Sequence, residues 1–193
     1  MLLAIDTSAG TSVAIVSTDG NFIDARHTDD TRRHAEVLGE YLSELRPEGV
    51  SAVVIGVGPG PFTGLRVGIA AARGFAWGAN IPLWPVLSHD GIALTRYQSG
   101  EAGRLTVATD ARRREFFVSD YHGFNAGIPE RHDPPRIEPA LDASVTLDTR
   151  VDAAALARVA IARNAAGEPL EPANAVYLRS PDVTLPAPRT GTA

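Results

Sequence analysis

The sequence predicts an α/β protein of two lobes with mixed sheets, the second lobe reduced, and three observations carry that expectation. Three strand-like segments open the chain and give way to alternating helical and apolar segments, a βββαβαβα series. A glycine-rich stretch, Gly56 to Arg66, separates a continuous apolar run from a long helical pattern. Laid over the start of the chain at an offset of 104, Asp110 falls on Asp6 and a strand–turn–strand falls on a strand–turn–strand.

Leu2 to Ile5 is a short apolar run ending at the turn formers Asp6 to Gly10. Thr11 to Thr18 alternates as a β-branched strand, Asp19-Gly20-Asn21 signals a hairpin, and Phe22 to Thr28 alternates again. From Thr31 the period changes: Ala35, Leu38, Leu42 and Leu45 form the apolar stripe of a helix that Pro47 and Gly49 end. Ala52 to Val57 reads as a buried parallel strand. A helix follows from about Thr63 to Ala79, then a strand at Leu83–Val86 and a helix from Ser88. These make a first lobe of residues 1–98. The second lobe, 104–180, opens with Leu105–Asp110 and a strand over Glu115–Tyr121. Residues 123–150 are rich in proline and glycine, with a short strand at Arg136–Glu138. A helix capped by Asp152 reaches Arg163, and Ala175–Leu178 suggests a final strand. The proline-bearing tail, 181–193, is expected to be flexible.

Composition excludes several function classes. Hydrophobic residues are 44% and charged residues 21% of the 193, as in ordinary globular domains. A net charge of -5 gives no global attraction to nucleic acid, so any RNA contact needs a local basic patch or a partner. The absence of cysteine excludes disulfides, a thiol nucleophile and thiolate metal sites. No run approaches the roughly 20 apolar residues that span a bilayer, and the first residues carry Asp6 without a basic region. The expectation is a cytoplasmic protein with no membrane contact.

The glycine-rich segment fits the phosphate motifs poorly. Gly64 is followed by Leu65 and the chain has no lysine, so no P-loop is present, and Thr63 stands where a dinucleotide fingerprint needs glycine. The helix behind it is more telling. Gly64, Gly68, Ala72 and Ala76 repeat every four residues, with Leu65, Ile69 and Trp77 on the adjacent stripe and Arg73 in the same row. Glycine inside a helix costs about 1 kcal/mol relative to alanine, so the bare stripe serves a close approach. Either the chain's own sheet or a second subunit makes that approach.

Ile5-Asp-Thr-Ser8, Arg33-His-Ala-Glu-Val-Leu38 and Gly58-Pro-Gly-Pro-Phe-Thr-Gly-Leu-Arg66 occur here in an order that resembles the TsaB family. Asp110-Ala-Arg-Arg-Arg-Glu-Phe-Phe117 and Tyr177-Leu-Arg179 are similar to its C-terminal signatures. The likeness is dense over residues 1–95 and thin over 123–170, and it departs at Val57 and Pro61. The resemblance implies the ASKHA fold of actin, Hsp70 and hexokinase. It implies a non-catalytic dimerisation subunit for tRNA N6-threonylcarbamoyladenosine synthesis at position 37. The chemistry would then belong to a TsaD-like catalytic paralogue, with a TsaE-like ATPase as third component, a homodimer in isolation and tRNA bound through the complex.

The candidate partner-binding residues are Phe62, Thr63, Gly64, Leu65, Gly68, Ile69, Ala72, Arg73 and Ala76. Asp6 and Thr7, with the cationic turn Arg112, Arg113 and Arg114, are candidates for nucleotide or RNA contact. Asp6 reads alternatively as a turn-capping carboxylate, and the arginines as a solvated turn. No cofactor of its own is expected; ATP or ADP fits only at the seam with the partner. Two other readings compete. A stand-alone ASKHA phosphotransferase would use Asp6 and Asp110. A metallopeptidase would need ligands, yet Ser88 and Ile92 stand where the catalytic paralogue carries two histidines, and His89 is out of register. His34 reads as a solvated or hydrogen-bonded helix histidine.

Overall fold

β1 (Leu2–Asp6), β2 (Thr11–Val16) and β3 (Phe22–Thr28) form an antiparallel meander. The next two strands, β4 (Ala52–Gly56) and β5 (Leu83–Val86), join it in parallel, giving the order β3-β2-β1-β4-β5. The computed structural model describes residues 1–179. The tail expected to be flexible lies outside the described residues.

Strands β1, β2 and β4 are buried along their whole length because helices cover both faces, which is why they read as unbroken apolar runs. Leu3, Ile5, Val13, Ile15, Val53 and Ile55 face one core, which α1 (His34–Leu45) and α2 (Phe62–Ala79) close. Leu2, Ala4, Ala14, Val16 and Val54 face the other, closed by α3 (Ser88–Gln98) and α4 (Ala153–Ala166). Asp152 accepts the Ala154 amide at 2.9 Å and caps α4, as its position before the alanine run predicts.

β6 (Leu105–Asp110), β7 (Phe116–Asn125), β8 (Ile128–Arg131) and β9 (Arg136–Glu138) make a second sheet. β7 pairs with β6 through Phe116–Tyr121, with β8 through Tyr121–Asn125 and with β9 through Phe116–Val118. The antiparallel β6–turn–β7 repeats the topology of β1–turn–β2. The environments differ, since Asp6 is buried and Asp110 is half exposed. β8 goes unread in the sequence because Pro129 and Gly127 disguise it. Ala175–Leu178 is not a strand: Val176 donates one amide to Val57 O and pairs no further. A break at residues 98–104 separates the sheets but not the cores. α4, from the later segment, packs on β1, β2 and β4, and Leu105, Val107 and Tyr121 enter the same cluster.

The two sheets are pinned by one charged knot. Asp90 on α3 is fully buried and accepts from Tyr121 Oη at 2.8 Å, Arg163 Nη2 at 2.8 Å and Arg131 Nη1 at 3.2 Å. Glu171 takes Arg131 Nη2 at 3.0 Å. Burial pushes the Asp90 carboxyl up, and the two arginines oppose that shift. Removing one partner from such a cluster strands the others without water. Asp90→Ala is expected to lose roughly 3–5 kcal/mol of stability, read from urea denaturation followed by circular dichroism.

Candidate functional site

β1 ends in Asp6-Thr7-Ser8, a turn pressed between α1, α2 and α3. Asp6 Oδ1 accepts the Ser8 amide at 2.8 Å and the Ser8 hydroxyl at 2.7 Å. Its Oδ2 accepts from Ser88 Oγ at 2.6 Å, and that oxygen in turn accepts the Gly58 amide at 3.0 Å. Burial raises the pKa of the carboxyl, and the hydroxyl and amide donors lower it. Asp6 is 1% exposed and both oxygens are engaged, so it is a turn-capping carboxylate with no face toward a ligand.

Thr7 is buried in the same way. Its hydroxyl donates to Gly64 O at 2.7 Å, and its side chain fills the space where a Cβ on Gly68 would stand. A Cβ on Gly64 would lie 2.5 Å from Thr7 O and 3.0 Å from His34 Nε2. His34 is itself buried, with Nδ1 2.8 Å from Thr11 Oγ1, and burial lowers its pKa. The bare stripe is therefore covered by the chain itself. Gly64, Leu65, Gly68, Ile69, Ala72 and Ala76 are all buried, which corrects their assignment as partner-binding residues. Asp6 and Thr7 leave the list of nucleotide or RNA contacts for the same reason.

The outer face of α2 is a different set. Thr63, Arg66, Ala70, Arg73, Gly74, Trp77 and Gly78 are exposed, Trp77 at 89%. Ala70, Gly74 and Gly78 form a second bulk-poor stripe at four-residue spacing, and nothing lies within 4 Å of a Cβ on Gly74 or Gly78. Arg66 and Arg73, seven residues apart, mark this phase in the sequence, a signal the small-residue pattern outweighs. At the helix start Phe62 lies 4.8 Å from the Tyr177 ring, with the Arg66 guanidinium 3.6 Å over Phe62. Arg73 holds the Ala173 carbonyl and so ties the 173–177 segment to the same helix. Of the nine sequence-predicted partner residues, Thr63 and Arg73 are exposed and Phe62 is half-buried.

Arg112, Arg113 and Arg114 are exposed, and Arg112 and Arg113 line a cleft with Phe62 and Tyr177 at the start of α2. All three take left-handed backbone angles, φ 64°, 57° and 63°, which non-glycine residues rarely adopt. The turn is held by Asp110 Oδ1 accepting the Arg112 amide at 2.7 Å, and Arg112 Nη2 reaches Thr31 Oγ1 at 2.9 Å. Arg179 clamps it from outside, donating to Ala111 O at 3.1 Å and pairing with Glu115. A cleft of about 260 Å³ lies between Ser8–Gly10 and Asp110–Arg112, where the two repeated strand ends face each other.

His89 is wholly buried, with Nδ1 2.8 Å from Ser119 Oγ and Nε2 3.0 Å from Thr109 Oγ1. Both ring nitrogens are committed to hydroxyls. Among the described residues no three His, Asp or Glu side chains lie where they could hold a metal ion.

Residues 29–144 match the family model described as TsaD: tRNA N6-adenosine threonylcarbamoyltransferase. The chain belongs to this family, and within it the protein is TsaB-like. An uncharacterized protein of Mycobacterium leprae is 36% identical over 150 residues, 72% of this chain and 40% of that protein. The tRNA threonylcarbamoyladenosine biosynthesis protein TsaB of Haemophilus influenzae is 34% identical over 123 residues, 61% of this chain and 52% of that protein. The solved structure of YeaZ from Pseudomonas aeruginosa superposes with a TM-score of 0.74 at 27% identity, covering 92% of this chain and 99% of that one. The chain thus spans about half the length of the curated relatives it matches. The ASKHA-like α/β fold expected from the sequence is the fold observed.

Two expectations follow for this TsaB-like chain. Burial lowers the His89 pKa to about 3, below an unfolded value near 6.5, so the folded state stays neutral while the unfolded state takes up a proton. The His89 contribution to stability is therefore present above about pH 6.5 and is lost as pH falls toward 3. The His89 imidazole resonances should not titrate between pH 8 and pH 4.5 by NMR, a window bounded by that depressed value. Gly68→Leu should unfold the chain or cost at least about 2–3 kcal/mol in thermal denaturation, since its side chain displaces Thr7. Gly74→Leu, at an open helical position, should keep the fold and raise stability by up to about 1 kcal/mol.

Proposed function

We propose that this TsaB-like chain is a non-catalytic partner subunit in the synthesis of N6-threonylcarbamoyladenosine at position 37 of tRNA, docking a TsaD-like catalytic subunit. The observation that carries the reading is the outer face of α2. An indole 89% exposed beside Ala70, Gly74 and Gly78 is a costly surface to leave in water, and its low relief suits a second helix approaching closely. Trp is also the residue type most enriched among interface anchors. The names carried by the relatives supply the reaction.

In this reading the seam passes along Thr63, Arg66, Ala70, Arg73, Gly74 and Trp77, one helical phase away from the stripe that the sequence suggests. The same face serves a homodimer in isolation and is exchanged for the TsaD-like partner. A TsaE-like ATPase and tRNA join through the complex, in the cytoplasm. The chain brings no cofactor of its own. ATP or ADP, where it binds, does so at the seam with the partner, and the Arg112–Arg114 turn remains the cationic element for nucleotide or RNA phosphate. Among the described residues no helix is long and apolar enough to cross a membrane.

A stand-alone phosphotransferase finds less support, because Asp6 spends both oxygens inside the fold. The metallopeptidase reading lacks a ligand set among the described residues.

The test is a pull-down of the cognate TsaD-like subunit together with an assay of the modified nucleoside. Wild-type chain should retain the partner and support modification. Gly74→Leu and Trp77→Ala should stay folded yet lose retention by about tenfold or more, with modification falling in parallel. Full retention by both variants would remove α2 as the seam. Full modification without this chain would remove the subunit role.

A further inference from the structure

The second face of the first sheet is not completely roofed. α4 covers β1, β2 and β4, with α3 packed beside it, but the edge strand β3 is touched only lightly. There an open groove of about 500 Å³ runs between β3, α3, α4 and the segment before α4. Its floor is apolar: Phe22, Ala25, Ile92 and Ala154. Phe22 is 58% exposed in a position where an aromatic ring gains by being covered.

The rim is charged, and its ion pairing is uneven. Two carboxylates stand there, and both are spent. Asp152 caps α4, and Asp148 is shared between Arg96 Nη1 and the Ala108 amide, each at 3.4 Å. Arg96 is likewise occupied, chelating Glu101 at 2.7 and 2.8 Å. Two arginines are left over. Arg158 gives only Nε, at 3.1 Å, to Gly20 O, and its terminal nitrogens meet no carboxylate among the described residues. Arg150 is exposed and makes no side-chain hydrogen bond or ion pair among them. Two guanidiniums without an ion-pair partner among the described residues, over an apolar floor, leave N–H donors available to an added carboxylate.

Strand addition at the free edge of β3 would be one way to cover Phe22. That edge is closed by its own side chains: the Ala25 amide donates to Asp24 Oδ1 and its carbonyl accepts from Arg26 Nη1, both at 2.8 Å. The groove instead suits a compact molecule, and its volume is within the ordinary range of small-ligand sites.

We propose that this groove binds an amphiphilic organic anion, an apolar body lying on Phe22 and Ile92 with a carboxylate between Arg150 and Arg158. The fork geometry of a guanidinium matches a carboxylate, and neither arginine must give up an acidic partner to take one. Such a ligand would bridge β3, α3 and α4.

Sodium decanoate, below its micellar range, is the probe, with decanol as its uncharged counterpart, and the full chain is followed by amide chemical shifts. Saturable shifts are expected at Phe22, Ala25, Ala154 and Arg158, with decanoate binding more tightly than decanol. Arg150→Glu should weaken decanoate about tenfold and leave decanol unchanged. Phe22→Ala should weaken both. Both positions are exposed, so each variant keeps its fold. No saturable shift, equal binding of the two probes, indifference to Arg150→Glu, or shifts centred on Trp77 would each overturn the proposal.

Discussion

The first half of the molecule depends on how closely the turn after β1 approaches α2. Thr7 lies where side chains on Gly64 and Gly68 would be, and its hydroxyl bonds the helix backbone at Gly64 O. That contact sets the rotation of α2 about its own axis. With Gly64, Gly68, Ala72 and Ala76 turned inward, Leu65 and Ile69 enter the core beside Ile5 and Ile55. Arg66, Ala70, Gly74 and Trp77 must then face out. The carboxylate next door serves the same contact: Asp6 ties Ser8 and Ser88, and Gly56 has no side chain because the Asp6 oxygen occupies its place. A buried polar turn of this kind is stable only because every donor and acceptor in it is matched.

Most of the architecture was legible in the residues. The meander, the parallel strand β4, the four helices and the cap at Asp152 follow from period, β-branching and turn chemistry. The rotational phase of α2 was not. Its sequence carries two small-residue stripes, Gly64–Gly68–Ala72–Ala76 and Ala70–Gly74–Gly78, and a pattern of small residues does not say which one meets a neighbour. Arg66 and Arg73 tell them apart, because long cations seek water while Leu65 and Ile69 seek the core. β8 was hidden by Pro129 and Gly127, residues that deplete strand propensity although the antiparallel edge here accepts them. The packing of α4 against the first sheet is a non-local fact, and no local period records it.

The residues that draw attention as chemistry turn out to be interior structure. Asp6, His34 and His89 are all buried, as is Asp90, which the sequence does not single out, and each is hydrogen-bonded by neighbours from distant segments: Ser88 for Asp6, Thr11 for His34, Thr109 and Ser119 for His89, and two arginines for Asp90. Each pair joins elements that hydrophobic burial alone would leave free to slide. In the resemblance to an ATP-using fold these positions invite a ligand-binding interpretation. Their geometry instead spends the polar groups on fixing the register of sheets and helices.

What remains on the surface divides cleanly by the two faces of the first sheet. The proposed seam on α2 lies over the core built from Leu3, Ile5 and Ile55, whereas the groove beneath Phe22 opens beside the core built from Leu2, Ala4 and Val54. Alternate residues of β1 and β4 serve the two sides, so a partner on one face and an anion on the other do not compete for space. Any influence between them must pass through the strands themselves, which are buried along their length and closely packed. Such a sheet shifts as a unit or not at all. Occupancy of the groove would therefore be felt at α2 chiefly as added rigidity of the platform beneath it, and the two sites are expected to be nearly independent in affinity.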